Sequence, residues 1–425
     1  MLSVVLFLCF LSVSQGQNII LKQTNETGIY KKGEKICVTL FVNDRSTDSV
    51  SIKIGENFSK QTFQEKLRYT GDTIMIFDKS FNKPASVIFE VRTKSESASI
   101  GSIVEPEKFT SGTKRPKDFN KFWREEKSEL RKLSMEVKEV PVNDIEKGYL
   151  CLNTEINCTG PKPARGYFVK PASARPKSLP IVLYLHAAGR ISDSWVRSTP
   201  ENALRYAKMG NGALSFDLNA HGMLNGQTDA YYDELENGEL KNYSQTGLET
   251  KNEIYFRGMY LRLIRTLDFL AIQPEWDGKR ILVIGESQGG GQALAAAGFD
   301  SRVSAVVATV PAMCDWGGSL LGRKGSWPDP FATPFNQEKM LSTLPYFDNA
   351  HILKGSKATL VVEIGLIDTT CPASAIFASV NQAEGKKIVY AVPYRAHHMT
   401  QPAYTEIWEK TVAQPIAAFI KDYLK

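Results

Sequence analysis

Histidine is scarce in this chain, with five in 425 residues, and so is any spacing that would gather it around a metal. No HExxH helix and no CxxC pair occurs, so a zinc site has no basis in the sequence. The glycine-rich segment Gly285–Gly291 lacks the G-x-G-x-x-G spacing and no Walker lysine follows it, so neither a dinucleotide nor a nucleoside triphosphate is expected as cofactor. No run of five Lys or Arg appears, and a formal charge of +6 spread over 425 residues gives nucleic-acid binding no support. The densest basic stretch, Lys114–Lys132, alternates with acids and reads as a solvated helix face. Beyond the first residues no segment approaches 18 uncharged apolar residues, so no membrane span is expected. With 42% hydrophobic residues there is ample material for a core, which excludes disorder as a description of the whole.

Residues 2–13 (LSVVLFLCFLSV) form a short uncharged apolar run before the small and polar Ser14-Gln15-Gly16-Gln17. That is the layout of a secretory leader over 1–17, without a basic start, and it is too short to span a bilayer. Cys9 follows the bulky Leu6-Phe7-Leu8, which argues against a lipidated cysteine. A secreted or periplasmic protein is the expectation. Past the leader, Cys37, Cys151, Cys158, Cys314 and Cys371 are odd in number, so at least one stays a thiol. Cys151 and Cys158 flank a turn-like stretch and are a candidate disulfide closing a hairpin.

From residue 18 to about 104 the apolar pattern has period two, as in KICVTLFV (35–42), SVSIKI (49–54), DTIMIFD (72–78) and ASVIFEV (85–91). Turn-prone residues separate these runs, and the reading is an all-β sandwich of immunoglobulin-like size over 18–104. Its aromatics Tyr30, Phe41, Phe58, Phe63 and Tyr69 are either core or a sugar-binding platform, and strand aromatics favour core. A linker follows, then an amphipathic helix from Lys117 to Leu133 carrying Phe119, Phe122 and Trp123 on one side. Beyond it IVLYLH (181–186), GALSFD (212–217), RILVIG (280–285), VSAVVATV (303–310), ATLVVEIG (358–365) and KKIVYAV (386–392) are nearly continuous apolar runs. Strands buried on both faces of a parallel sheet look like this. With helical stretches at 256–273, 288–298 and 402–424 between and after them, residues 105–425 read as one doubly wound, mostly parallel α/β domain. Residues 311–350 lack a period and read as an insertion over the site.

Gly285-Glu286-Ser287-Gln288-Gly289 is a G-x-S-x-G pentapeptide, a weak signal alone. Here it ends a strand and opens the helix QGGGQALAAAG, the context in which a serine hydroxyl is thrust above a sheet edge. The Gln288 N–H then heads a helix where an oxyanion would form, with Ala187 and Ala188 after the strand IVLYLH as candidate second donors. In α/β-hydrolases the acid and then the histidine follow the serine in the chain. Asp368, in the loop after ATLVVEIG, is the candidate acid, with Glu363 inside that strand as its rival. His397 and His398 alone follow the last strand, and spacing does not separate them. His186, at a strand end, reads as a hydrogen-bonded scaffold residue.

RPKDFNKFW, YFRGMYLRLIRTLDFL, GESQGGGQALAAA, VPAMCDW, GLIDTTCPASAIFASVNQ and YRAHH together resemble the acetyl xylan esterase / cephalosporin C deacetylase family, over roughly residues 106–425. The resemblance implies an α/β-hydrolase fold and a carboxylic ester hydrolase acting on acetylated poly- or oligosaccharide. Its most specific piece, GLIDTTCP, implies that Asp368 is the acid. The family's G-H-E motif, aligned with AHH, puts His397 on the histidine and His398 on the glutamate. It also implies an oxyanion hole from the Gln288 N–H and the residue at Ala188. Two departures stand out: Ala188 replaces a tyrosine, which reshapes the acyl pocket, and Asn219-Ala220-His221-Gly222 replaces R-G-Q-G. The β module lies outside the family's compact core, so the family's ring-shaped hexamer is not carried over. The competing readings are an esterase for bulkier acyl or uronoyl groups, a serine exopeptidase, and a non-catalytic glycan-binding protein.

Overall fold

In a computed structural model the residues described are 2–4, 18–43, 47–57, 62–71, 73–191, 193–398 and 400–425. The strands are β1 (Leu2–Val4), β2 (Ile19–Gln23), β3 (Ile29–Tyr30), β4 (Lys35–Val42), β5 (Ser49–Glu56), β6 (Thr62–Arg68), β7 (Ile74–Ser80), β8 (Ala85–Arg92) and β9 (Ser97–Val104). Then follow β10 (Val137–Pro141), β11 (Tyr149–Ile156), β12 (Ala164–Pro171), β13 (Leu179–Leu185), β14 (Leu214–Asn219), β15 (Trp276–Glu286), β16 (Ala305–Thr309), β17 (Thr359–Gly365) and β18 (Lys387–Val392). The helices are α1 (Phe119–Lys132), α2 (Pro200–Ala207), α3 (Asp229–Asn237), α4 (Tyr255–Ala271), α5 (Gln288–Phe299), α6 (Gln337–Thr343), α7 (Asn349–Ile352), α8 (Ala373–Val380), α9 (Thr405–Trp408) and α10 (Gln414–Tyr423).

Strands β2 to β9 form two sheets, β2-β4-β7 and β3-β9-β8-β5-β6, around a core of their own. The alternating burial of β4 supplies Ile36, Val38 and Leu40 to that core. Tyr69 ties the sheets together: its hydroxyl accepts from the Val42 N–H (2.8 Å) and donates to the Val42 carbonyl (3.2 Å). Tyr30 and Tyr69 are therefore core residues, and of the aromatics weighed as a sugar platform only Phe63 is well exposed among those described. Phe58 lies outside the described residues.

The third sheet has ten strands in the order β1-β18-β17-β16-β15-β13-β14-β12-β11-β10. From β1 to β14 every neighbour is parallel, and β12, β11 and β10 add an antiparallel wing. Period two divides each central strand between two layers of helices. In β13, Ile181, Leu183 and Leu185 join the core shared with α4, α5 and α8, while Val182 faces the core under α2 and α10. That is the doubly wound, mostly parallel α/β architecture expected from the apolar runs, and it agrees with the α/β-hydrolase fold that the resemblance implied. Among the described residues no helix is long and apolar enough to cross a membrane.

The disulfide expectation fails. Cys151 lies inside β11 and Cys158 just past its end, and both are free thiols. Instead of turning back, the strand carries them apart at about 3.3 Å per residue, well beyond the ~7 Å Cα separation a disulfide tolerates. Cys37, Cys314 and Cys371 are likewise unpaired.

Candidate active site

Ser287 occupies the turn between β15 and α5 at φ 53° and ψ −117°. A left-handed φ at a serine costs about 1–3 kcal/mol and persists only where surroundings enforce it. Here the Ser287 N–H donates to the Thr309 carbonyl, and the Ser287 carbonyl accepts from Gly291 and Ala312, all at 2.9 Å. The turn also needs room. A Cβ on Gly289 would lie 2.0 Å from the Leu185 carbonyl oxygen, and one on Gly285 would lie 2.3 Å from the Gly289 carbonyl. Glycine at both positions lets α5 press against β13 and β15 so that Ser287 is presented above the strand ends.

Two further loops at C-terminal strand ends deliver the partners. Asp368 follows β17 and His397 follows β18. Ser287 Oγ lies 2.9 Å from His397 Nε2, and His397 Nδ1 lies 2.8 Å from Asp368 Oδ2. Because a carboxylate only accepts, Nδ1 carries the proton and Nε2 presents its lone pair to the serine hydroxyl. The other Asp368 oxygen accepts from the Thr370 and Cys371 N–H groups, both at 2.8 Å, which fixes the carboxylate plane. His398 is exposed and packs edge-on against His397 with ring centres 4.9 Å apart. Glu363 is spent elsewhere, accepting from Arg395 Nε (3.0 Å) and Trp408 Nε1 (2.7 Å). Of the sequence candidates, then, Ser287, Asp368 and His397 meet, whereas His398 and Glu363 do not join them.

Asp368, Cys371 and His397 also offer ligand atoms within 4.8 Å of one another. The carboxylate and Nδ1 are already bonded to each other, and burial, with the Asp368 charge second, pushes the Cys371 thiol well above its ordinary range. These donors fit the hydrogen-bonded chain better than a metal.

Gln288 opens α5, where the first N–H groups have no acceptor within the helix. Ala187 and Ala188 follow β13, both half-buried. His186, fully buried, holds this loop: Nε2 accepts from the Ala220 N–H (3.0 Å), and Nδ1 lies 2.9 Å from the Ala187 carbonyl. A backbone N–H only donates and a carbonyl only accepts, so the ring is neutral and protonated at Nδ1. Burial lowers its pKa to about 4, in keeping with that state.

An aromatic wall stands beside Ser287. The Tyr243 hydroxyl donates to Gln288 Oε1 (2.5 Å), and its ring sits 4.6 Å from His221, 4.8 Å from Tyr255 and 6.3 Å from Trp327. His221 Nδ1 meets the Tyr255 hydroxyl at 2.7 Å, and the Trp327 N–H donates to the Thr370 carbonyl (2.9 Å) in the acid loop. His221 belongs to the segment that departs from R-G-Q-G. Its ring is buried among rings and cations, and burial foremost drives its pKa well down. Tyr243 and Trp327 fall in stretches without periodicity, and only the aromatic content of 311–350 hinted at Trp327.

The acetyl xylan esterase (AXE1) family profile matches residues 102–412. Acetyl esterase Axe7A of Xylanibacter ruminicola is 28% identical over 402 residues, 90% of this chain and 88% of that protein. Among solved structures, an acetyl xylan esterase from Paenibacillus sp. R4 superimposes with a TM-score of 0.61 at 26% identity, covering 75% of this chain and 99% of its own. Acetyl xylan esterase 1 from Thermoanaerobacterium sp. JW/SL YS485 shares the fold, with a TM-score of 0.57 at 19% identity over 76% of this chain and 98% of that one. The elbow, the strand order and the profile match agree: the chain belongs to the acetyl xylan esterase family of α/β-hydrolases and is a carboxylic ester hydrolase.

Proposed function

We propose that the protein is an exported serine esterase that removes acetyl groups from acetylated xylan or related oligosaccharides through an acyl-enzyme. The observation that carries this reading is the chain of hydrogen bonds from Ser287 Oγ to His397 Nε2 (2.9 Å) and from His397 Nδ1 to Asp368 (2.8 Å). In the proposed mechanism His397 Nε2 takes the Ser287 proton as Oγ attacks the ester carbonyl. The carbonyl electrons move onto oxygen, which the Gln288 N–H and an amide of Ala187-Ala188 stabilise at the positive end of α5. Collapse expels the sugar oxygen, which recovers the proton from His397. Water, deprotonated by the same Nε2, then attacks the acyl carbonyl, releasing acetate and restoring Ser287. Asp368 keeps the imidazole in the Nδ1–H tautomer and stabilises the imidazolium that forms.

Hydrolysis of 4-nitrophenyl acetate and of acetylated xylo-oligosaccharide should fall by about 10⁴-fold or more in Ser287→Ala. Equal rates in variant and wild type would refute the mechanism. Ala188 supports a second reading, since its methyl fills less of the acyl side than the tyrosine expected there. Butyryl, feruloyl and methyl-uronate esters tested beside acetyl measure that tolerance, and a kcat/KM for a bulky ester above that for acetyl would favour it.

A further inference from the structure

The β module meets the hydrolase domain at the two loops that carry the acid and the base. Gly101, in β9, donates its N–H to the Pro393 carbonyl (2.8 Å), four residues before His397. A Cβ on Gly101 would lie 2.4 Å from the Leu366 carbonyl oxygen, two residues before Asp368. A Cβ on Gly28 would lie 2.8 Å from Leu366 Cδ1 and 3.0 Å from Pro393 Cγ. Four residues past His397, Gln401 clasps the module backbone: Oε1 accepts from the Ser99 N–H (3.2 Å) and Nε2 donates to the Ser99 carbonyl (2.5 Å). Lys324 adds a bridge, its N–H held by the Asn57 carbonyl (3.2 Å) and its Nζ donating to the Thr369 carbonyl (2.7 Å). The two loops are joined to each other as well, the Ile367 N–H donating to the Arg395 carbonyl (3.3 Å).

The seam is stiff on the module side. Gln23, buried between the sheets, donates to the Gly101 carbonyl (3.3 Å) while its Oε1 accepts from Ser102 Oγ (2.6 Å) and the Tyr30 hydroxyl (3.2 Å). Tyr30, a candidate for a sugar platform, thus helps fix the strand that touches the acid loop. A serine–histidine–aspartate chain must be held to about 0.5 Å, and an error near 1 Å costs on the order of 100-fold in rate. Packing without side chains at Gly28 and Gly101 suits that demand.

We propose that the β module is a positioning element of the esterase site, in which Gly28, Gly101 and Gln401 hold the Asp368 and His397 loops in register. The proposal rests on the serine-esterase reading above. Its test uses the full chain with Gly101→Val, Gln401→Met and a control, Leu40→Ala, which opens a void in the module's core within the sheet opposite β9. Gln401→Met keeps the side-chain length without its hydrogen bonds, and carries the test alone if Gly101→Val does not fold. The seam variants are expected to lose about 10-fold or more in kcat for 4-nitrophenyl acetate with KM within about two-fold. Leu40→Ala should lower Tm yet leave kcat unchanged. Wild-type kcat in both seam variants, or an equal kcat loss in Leu40→Ala, overturns the proposal. A wild-type chain that hydrolyses nothing and takes no fluorophosphonate label at Ser287 overturns the esterase reading and the proposal together.

Discussion

In the proposed mechanism His186 acts on the Ala188 amide through the backbone. In a trans peptide the C=O and the following N–H point in opposite directions, so holding the Ala187 carbonyl through Nδ1–H also sets the direction of the Ala188 N–H. The ring's other nitrogen binds the Ala220 N–H, in the segment that replaces R-G-Q-G. Loss of one oxyanion donor costs about 10²–10³-fold in kcat, and loosening its support should cost less. His186→Ala is therefore expected to lower kcat about 10- to 100-fold with little change in KM, measured with the acetyl ester. An unchanged kcat would show that the Ala188 amide is held by something else or is not used.

At the scale of elements the elbow depends on how closely α5 approaches β13. Gly289→Ala would place a methyl 2.0 Å from the Leu185 carbonyl, backbone that has no side chain to rotate away. Strand or helix must shift, and a cost of about 3 kcal/mol or more in unfolding free energy is expected. Gly290, whose added Cβ would meet Pro311 Cα and the Thr309 carbonyl at 3.1 Å, should tolerate alanine far better. Urea unfolding of both variants measures the difference, and equal losses would contradict the packing argument. Of the six parallel strands, β13 to β17 were legible because burial on both faces leaves continuous apolar runs, and β18, partly buried, because its sequence is still mostly apolar. Strands β10 to β12 were not: β10 is exposed along its whole length, so no apolar period marks it. Cys151 and Cys158 read as closing a hairpin because the Asn, Thr and Glu between them are turn-prone, whereas residues Tyr149–Ile156 are strand. Ser287 and Asp368 could be read because their motifs state their structural context. Between His397 and His398 only the resemblance chose, and it matched the imidazole that meets Ser287.

Across the whole molecule, what escaped the sequence is contact with backbone groups over long separations. The Ser99–Gln401 contact spans 302 residues, and the Gly101–Pro393 bond involves no side chain at all, so neither composition nor periodicity records it. Long-range ties also govern how stability responds to acid. His351, in α7, meets the Thr113 hydroxyl through Nε2 (2.8 Å), and its carbonyl accepts from Arg115 Nε (3.1 Å), pinning the linker after the β module to the hydrolase core. Burial, then the Arg115 and Lys354 charges, lowers its pKa to about 4. An unfolded histidine binds its proton near pH 6.5. Between these values the unfolded chain holds more protons, so stability rises with pH through the window and is lost as the solution is acidified from 6.5 towards 4. His186 and His221, also lowered by burial, act in the same direction. Asp217, whose burial raises its carboxyl to about 8, and Asp348, raised likewise, act in the opposite one, so the wild-type curve alone does not isolate His351. The comparison with His351→Gln does, because the glutamine amide can still reach Thr113 and has no proton to gain. Between pH 6.5 and 4.5 the variant's unfolding free energy should fall by about 2 kcal/mol less than the wild type's, measured by urea titration at each pH. Parallel falls in the two proteins would mean that His351 is protonated in the folded state and that its ring does not pin the linker as a neutral acceptor or donor.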